Sequence, residues 1–249
     1  MYMIKQIFVI IIGLTFLSFL KPSPKFRIFM AGDSTMSHYD TSKTPQRGWG
    51  QLFSQSFNND VEVINLARGG KSTKSFISQG LWDKLINQVQ KGDWVFIEFG
   101  HNDHDKSKPQ RFCTPEEYER NLIRMVSDVK AVGAHPILLT PIAMRSFNKD
   151  GSYHDGHGQY PAHVKMAANK TGVPFINADS LLGAKIEKMG PDSSKLFYMN
   201  FGPSLYKIFP EGHVDNTHLR KQGALAVCEL VVSAMRDLHL NPINQYLKK

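Results

Sequence analysis

Three residues that could together form a nucleophilic catalytic site lie at opposite ends of the 249-residue sequence. Ser34 stands in a Gly-Asp-Ser-Thr run, and Asp215 and His218 enclose Asn-Thr near the end of the chain. A serine hydroxyl is a weak nucleophile until a base removes its proton. Histidine is the usual base, and a carboxylate orients the imidazole and stabilises its charged form. We therefore interpret Ser34 as the nucleophile, His218 as its base and Asp215 as the partner of His218, although each motif alone also fits an ordinary turn or surface loop.

Two further motifs could supply the hydrogen-bond donors that acyl transfer needs at its developing oxyanion. Residues 65–73 contain paired glycines, and we predict that the backbone N–H of Gly70 faces the oxyanion together with that of Ser34. Asn102, in a Gly-His-Asn-Asp run, offers a side-chain NH₂. The alternatives are a glycine turn before a capped helix and an Asn-Asp turn. We expect no metal and no cofactor, because the spacing in residues 101–105 matches no known ligand set.

These motifs need a scaffold, and the apolar pattern of the chain supplies one. Continuous apolar runs, typical of parallel strands buried on both faces, predict strands at residues 26–30, 61–65, 94–98, 135–140 and 173–177. Three helices are predicted, over residues 114–132, 161–171 and 219–238. The first begins at Thr114, a capping residue that is followed by proline and glutamate. Alternating strands and helices predict a three-layer α/β/α sandwich. Ligands bind at the carboxyl ends of such strands, where we place all four polar motifs.

The order of Ser34, Gly70, Asn102 and His218, each after its own apolar run, resembles the four signature residues of the SGNH (GDS-type) hydrolase superfamily. A closer resemblance is to rhamnogalacturonan acetylesterases, carbohydrate esterase family twelve. It rests on Thr35 after the nucleophile, Gly48-Trp49-Gly50, Gly100-His101-Asn102-Asp103, Tyr160-Pro161 and Asp215-Asn216-Thr217-His218. The resemblance implies a flavodoxin-like fold with a five-stranded parallel sheet. It also implies deacetylation of pectic rhamnogalacturonan or a related plant glycan.

Several other side chains are candidates for substrate contact. The candidate substrate-binding residues are Trp49, His101 and Tyr160, with a core position as the favoured alternative for Trp49. Three histidines in predicted loops could also contact substrate, although loop histidines are more often solvated: His154, His157 and His213. Three cations could bind a galacturonate carboxylate or simply lie in solvent: Lys71, Lys74 and Arg145. Rival functions are a lipase or thioesterase acting on longer acyl chains, an acetyltransferase, and a non-catalytic glycan-binding protein.

Composition and the N-terminal segment bear on partners and location. The formal net charge is +8, and the scattered lysines and arginines do not favour a nucleic-acid partner. A basic surface suits an acidic polymer such as pectin, although it also aids solubility. Residues 1–24 predict a signal peptide with a linker, or an uncleaved membrane anchor, before a hydrolase domain at 25–249. We therefore expect a secreted or periplasmic monomer that acts on an acetylated polysaccharide or oligosaccharide. For Cys113 and Cys228, export permits a disulfide, but we favour two buried free thiols.

Overall fold

Five parallel strands form the central sheet of the computed structural model, which describes residues 26–248. The strands are β1 (Phe26–Gly32), β2 (Val61–Asn65), β3 (Trp94–Glu98), β4 (His135–Leu139) and β5 (Phe175–Ile176). Their order in the sheet is β2-β1-β3-β4-β5, which confirms the predicted five-stranded parallel sheet. The predicted signal peptide or anchor at residues 1–24 lies outside the described residues. Within 26–248, no helix is long and apolar enough to cross a membrane.

Helices cover both faces of the sheet and complete the predicted α/β/α sandwich. They are α1 (Trp49–Leu52), α2 (Thr73–Ser78), α3 (Leu81–Ile86), α4 (Pro115–Ala131), α5 (Tyr160–Thr171), α6 (Ala178–Ser193) and α7 (Lys221–Asp237). Alternate residues of β3 enter two separate hydrophobic clusters. Phe96 packs in the cluster that includes α1, α6 and α7, whereas Val95 and Ile97 pack in the cluster that includes α3, α4 and α5.

Local sequence signals set the ends of the predicted helices. The Thr114 side chain accepts a hydrogen bond from the Glu117 N–H, and the Glu117 side chain accepts one from the Thr114 N–H. This reciprocal pair begins α4 where the sequence predicts it. Helix α5 ends at Gly172, whose φ of 63° is the left-handed conformation that glycine adopts without strain.

A second, two-stranded sheet was not predicted. Strands β6 (Tyr198–Phe201) and β7 (His213–Leu219) pair in antiparallel fashion. Asp215 and His218 lie within β7, so the prediction that all four polar motifs follow strands of the parallel sheet is wrong for this motif. Its polar residues pair with β6, a partner that the apolar pattern does not reveal.

The two cysteines are buried and unpaired. Cys113 precedes α4, and Cys228 lies within α7 on the opposite face of the sheet. The prediction of two buried free thiols is confirmed.

Candidate active site

Ser34 follows β1 in a tight turn that its neighbours hold from several sides. The Ser37 N–H donates to the Asp33 carbonyl at 3.1 Å, and the Thr35 N–H donates to Asp33 Oδ1 at 2.9 Å. The Tyr39 hydroxyl donates to the Ser34 carbonyl at 2.8 Å. A Cβ at Gly32 would lie 2.8 Å from the Glu98 carbonyl, so β1 can approach β3 this closely only with glycine there. The turn leaves the Ser34 side chain partly exposed.

The structure brings Ser34, His218 and Asp215 into one hydrogen-bonded chain. His218 Nε2 lies 3.0 Å from Ser34 Oγ, and His218 Nδ1 lies 2.6 Å from Asp215 Oδ2. Asp215 Oδ1 accepts the backbone N–H groups of Thr217 at 2.8 Å and His218 at 3.0 Å. The carboxylate is thereby fixed, and it fixes the imidazole in turn. The arrangement can transfer the Ser34 proton to His218 Nε2.

Electrostatics favour an ionised Asp215 and a basic His218. Burial raises the pKa of Asp215, but its hydrogen bonds with the His218 side chain and backbone outweigh that effect and lower the pKa to about 2. Burial lowers the pKa of His218, but the hydrogen bond and charge of Asp215 prevail, so this pKa lies above its ordinary value. His218 is therefore a stronger base than a free imidazole.

Arg145, which lies outside the β6–β7 sheet, holds β7 in place. Its backbone N–H donates to the Asn216 carbonyl at 2.8 Å, and its Nη1 donates to Asn216 Oδ1 at 3.0 Å. Its Nε donates to the Pro191 carbonyl and to Ser194 Oγ. The guanidinium is thus engaged within the protein, and Arg145 positions the segment between Asp215 and His218 instead of meeting a substrate carboxylate.

Three candidate oxyanion donors keep an N–H without a protein acceptor among the described residues. Within the described part of the chain, the backbone N–H groups of Ser34 and Gly70 donate to no protein group. The Asn102 side chain uses one N–H to bind the Lys71 carbonyl at 2.9 Å, which leaves its second N–H available. Gly70 has a φ of 72°, the left-handed conformation suited to glycine. These are the groups that the sequence indicated as oxyanion donors.

Arg111, which sequence reasoning missed, links these donors. Its Nη1 donates to the Gly70 carbonyl at 3.1 Å and to Asn102 Oδ1 at 2.9 Å. Because a guanidinium only donates, it fixes which end of the Asn102 amide carries the oxygen. An N–H of Asn102 therefore points away from Arg111. No local motif signals this role, since Arg111 acts through residues that are distant in sequence.

Two fully buried acids lie beneath the nucleophile. Thr35 Oγ1 lies 2.9 Å from Asp33 Oδ1 and 3.0 Å from Glu98 Oε1. Burial, together with the charge of Asp33, raises the pKa of Glu98 to about 8, so Glu98 carries a proton at neutral pH. A protonated Glu98 can donate to Thr35, which then donates to Asp33. This buried relay supports the turn at Ser34 and was also missed, because Glu98 is an ordinary strand end in the sequence.

The three predicted substrate contacts are all buried. Trp49 is 0% exposed, donates from Nε1 to Glu98 Oε2 at 2.8 Å and packs its ring edge-on against Phe53, so it belongs to the core and its assignment to a sugar site is wrong. The Tyr160 hydroxyl donates to the Cys113 carbonyl at 2.5 Å. His101 Nδ1 lies 3.0 Å from His157 Nε2. Tyr160 and His101 thus interact mainly with protein groups.

His157 is neither a solvated loop residue nor a substrate contact. Burial lowers its pKa, but the carboxylates of Asp155 and Asp179 outweigh that effect and raise the pKa to about 9. Burial and the neighbouring histidines hold the pKa of His101 well below its ordinary value. In this pair, His157 Nε2–H therefore donates a hydrogen bond and His101 Nδ1 accepts it.

The remaining candidates have varied surroundings. The Lys74 ammonium donates to the Pro109 and Phe112 carbonyls at 3.3 Å. Lys71 contributes its backbone carbonyl to Asn102. The other two are histidines. His154 lies in a loop, where its Nε2 is 2.8 Å from Ser146 Oγ. His213, which the sequence placed in a loop, is the first residue of β7, and its ring lies 4.8 Å from that of Phe209.

Two clusters among the described residues have potential metal-ligand atoms within 4.8 Å of one another, Asp33–Glu98–His101 and Asp155–His157–Asp179. In the first cluster, both Glu98 oxygens already take part in hydrogen bonds, with Thr35 and Trp49. In the second cluster, His157 Nδ1 and Asp179 Oδ1 have no hydrogen-bond partner among the described residues.

The fold and this site define a carboxylic ester hydrolase of the α/β/α type. Residues 30–224 match the GDSL-like Lipase/Acylhydrolase family, and the chain belongs to this family. It is 34% identical over 221 residues to the rhamnogalacturonan acetylesterase RhgT of Bacillus subtilis strain 168, which covers 89% of this chain and 94% of that protein. A rhamnogalacturonan acetylesterase of Emericella nidulans is 26% identical over 243 residues, with 90% of each chain covered.

Solved structures share the fold. The Bacillus subtilis protein YxiM superposes with a TM-score of 0.76 at 24% identity, over 89% of this chain and 59% of that longer one. The acetylxylan esterase Axe2 from Geobacillus stearothermophilus superposes with a TM-score of 0.62 at 17% identity, over 87% and 96%.

Proposed function

We propose that this chain is a serine esterase that removes O-acetyl groups from pectic rhamnogalacturonan, with Ser34, His218 and Asp215 as its catalytic triad. The observation that carries the proposal is the continuous hydrogen-bonded chain from the Ser34 hydroxyl through His218 to Asp215. The relatives named rhamnogalacturonan acetylesterases, one of them 34% identical, support the choice of substrate.

The first half of the reaction transfers the acetyl group to the enzyme. His218 Nε2 takes the Ser34 proton as Oγ attacks the acetyl carbonyl carbon, and Asp215 stabilises the imidazolium. The carbonyl oxygen becomes an oxyanion that accepts hydrogen bonds from the N–H groups of Ser34 and Gly70 and from the Asn102 side chain. As the tetrahedral intermediate collapses, His218 gives its proton to the sugar oxygen. The sugar leaves with a free hydroxyl, and the acetyl group stays on Ser34.

The second half regenerates the enzyme. His218 removes a proton from water, whose oxygen attacks the acetyl carbonyl on Ser34. The same three donors hold the second oxyanion. Collapse returns the proton to Ser34 Oγ and releases acetate. These steps need only the residues named and water.

A basic groove beside β7 supports a polyanionic substrate. It has a volume of about 400 Å³ and lies next to the segment that carries His218, although neither Ser34 nor His218 lines it. Arg47, Lys207 and Lys221 are among its lining residues, and the two lysines are exposed. Galacturonate carboxylates of a bound pectic chain would find positive potential there.

The test is acetate release by the Ser34→Ala variant and by wild type. We expect wild type to release acetate from acetylated rhamnogalacturonan and the variant to lose nearly all activity while keeping its melting temperature. Ser127→Ala, an exposed serine on α4, is the matched control and should stay active. Near-normal activity of a folded Ser34→Ala protein would refute the triad.

A substrate panel separates the rival functions. We expect wild type to favour acetyl over octanoyl esters and acetylated rhamnogalacturonan over acetylxylan. Faster octanoyl hydrolysis would indicate a lipase or thioesterase instead. Acetyl transfer to added glycan that outruns hydrolysis would indicate an acetyltransferase, and binding of the polymer without acetate release would indicate a glycan-binding protein.

We also propose that the enzyme acts outside the cytoplasm, because its polymeric substrate does not enter cells intact. The apolar run from Ile7 to Leu20 supports export. N-terminal sequencing of the protein recovered from its producing cells is the test. A mature N-terminus near residue 25 in the medium or periplasm is expected, and an intact Met1 in the cytoplasm would contradict export.

A further inference from the structure

The cluster of Asp155, His157 and Asp179 lies apart from the hydrogen-bonded chain of Ser34 and is built around a buried imidazole nitrogen. His157 Nδ1 lies 3.5 Å from Asp155 Oδ1 and 3.4 Å from Asp179 Oδ1. The side chains of His157 and Asp179 are 0% and 7% exposed. Both distances exceed those of a normal N–H···O hydrogen bond. Within residues 26–248, neither His157 Nδ1 nor Asp179 Oδ1 has a hydrogen-bond partner.

The neighbouring histidine occupies the other ring nitrogen. His157 Nε2 lies 3.0 Å from His101 Nδ1, which leaves Nδ1 of His157 as the nitrogen that faces the two carboxylates. Without a metal, a proton on Nδ1 balances their charge. A metal ion that displaces this proton would bind Nδ1 and both carboxylates at once. Metal-binding histidines commonly donate their other N–H to a partner, as His157 Nε2 does to His101.

The distances from His157 Nδ1 to the two carboxylate oxygens fit a small transition-metal ion. Zinc binds nitrogen and carboxylate oxygen at about 2.0–2.2 Å in a tetrahedron, which places neighbouring ligand atoms about 3.3–3.5 Å apart. Calcium prefers a shell of six to eight oxygens, so a nitrogen ligand disfavours it. We infer that Asp155, His157 and Asp179 form a binding site for a divalent transition metal such as zinc.

The surroundings give an ion access and additional charge. A cavity of about 370 Å³ is lined by Tyr153, Asp155, Asp179 and Glu187 among others. The Tyr153 hydroxyl is buried and has no hydrogen-bond partner among the residues described. A water molecule or one of these groups can complete the tetrahedron. The carboxylate of Glu187 adds to the negative potential that attracts a cation.

The ion would join parts of the chain that meet at the active site. Asp155 belongs to the long segment between β4 and α5, and Asp179 lies in the first turn of α6. His157 contacts His101, the residue before Asn102. A bound metal would therefore hold the segment behind Asn102 and raise the stability of the fold, without taking part in acyl transfer.

The test is a titration of the chelator-treated, dialysed full chain with Zn²⁺ by calorimetry, and with Co²⁺ by its visible absorption. We expect one ion per chain, a tetrahedral Co²⁺ spectrum and a higher melting temperature with metal. Asp155→Asn, at a partly exposed ligand, should weaken binding by more than about 100-fold, beyond the loss typical of second-shell changes. Asp150→Asn is the matched control, since this exposed loop carboxylate bonds only Ser152.

Each other outcome contradicts the site. Failure of wild type to bind Zn²⁺ would mean that a proton on His157 Nδ1 balances the two carboxylates. Undiminished binding in Asp155→Asn would place the ion elsewhere, for example among Asp33, Glu98 and His101. Equal loss of binding in Asp150→Asn would show that the effect is not specific to the cluster. Acetate release by both variants is also measured without metal. A change in metal binding concerns this cluster, whereas a change in acetate release concerns the proposed triad.

Discussion

At the scale of single residues, the pairing of His218 with Asp215 controls how the enzyme responds to pH. His218 must be neutral to accept the Ser34 proton, and its pKa lies above the ordinary 6.5. We expect kcat/KM on an acetyl ester to fall as pH drops through that raised pKa. Asp215→Asn should lower the rate by about 10⁴-fold and move the acid limb to lower pH. An unmoved limb in the variant would mean that Asp215 does not set the pKa of His218.

The same pair contributes to stability with opposite pH dependence. The contribution of His218 is fully present below its unfolded pKa of about 6.5 and is lost as pH rises through the folded pKa. That of Asp215 is present above its unfolded pKa and is lost as pH falls toward about 2. Their joint stabilisation is therefore greatest between the unfolded pKa of Asp215 and the unfolded pKa of His218.

Asn102 tests the oxyanion site. Because its free N–H can bind the oxyanion only once charge develops, Asn102→Ala should lower kcat by about 10²–10³-fold with little change in KM. Steady-state kinetics on an acetyl ester measure this. The exposed Asn58→Ala is the control and should match wild type. An effect confined to KM would assign Asn102 to ground-state binding.

At the scale of elements, close packing around α1 sets the position of the Ser34 turn. The Gly48 backbone is in an ordinary extended conformation, but a Cβ there would lie 2.1 Å from the Ser37 carbonyl oxygen. Gly48→Ala must push the segment after Ser34 away from α1. We expect it to lower the free energy of unfolding by about 1–3 kcal/mol or more and to reduce kcat.

Gly202→Ala is the matched control, because a Cβ at Gly202 meets nothing within 4 Å. Urea unfolding of both variants compares them directly. Equal stability of the two would show that the backbone near Ser37 yields without cost.

The elements differ in how far sequence could predict them. Strands β1 to β4 were predictable because a strand buried on both faces needs a continuous apolar run. Strand β7 was not, since its polar residues are explained only by pairing with β6. The start of helix α4 was predictable from the capping residues Thr114 and Glu117. Glu98 and Arg111 were missed because their roles depend on contacts made only after folding.

At the scale of the whole molecule, the net charge of +8 should act on a polyanionic substrate. Raising ionic strength from about 0.1 M to about 1 M shortens the Debye length from about 10 Å to about 3 Å. We expect kcat/KM for acetylated rhamnogalacturonan to fall severalfold over this range, while that for a neutral acetyl ester stays constant. Rate measurements on both substrates across the salt series provide the check.

Variants locate that effect in the basic groove. The double variant Lys207→Ala/Lys221→Ala should reduce the dependence of kcat/KM on ionic strength. Lys188→Ala on α6, outside the groove, should not. A salt dependence that survives the double variant would assign the attraction to the overall charge.

Ser34 and His218 are separated by 184 positions in the chain and meet only when β7 lies against the end of β1. A growing or refolding polypeptide therefore has no base for its serine until most of the chain has been made and the second sheet has assembled. Recovery of acetyl-ester hydrolysis after dilution from urea should follow, not precede, the return of tryptophan fluorescence from the core. The enzyme is therefore inactive during most of its own synthesis, and its activity reports the contact between β7 and the Ser34 turn.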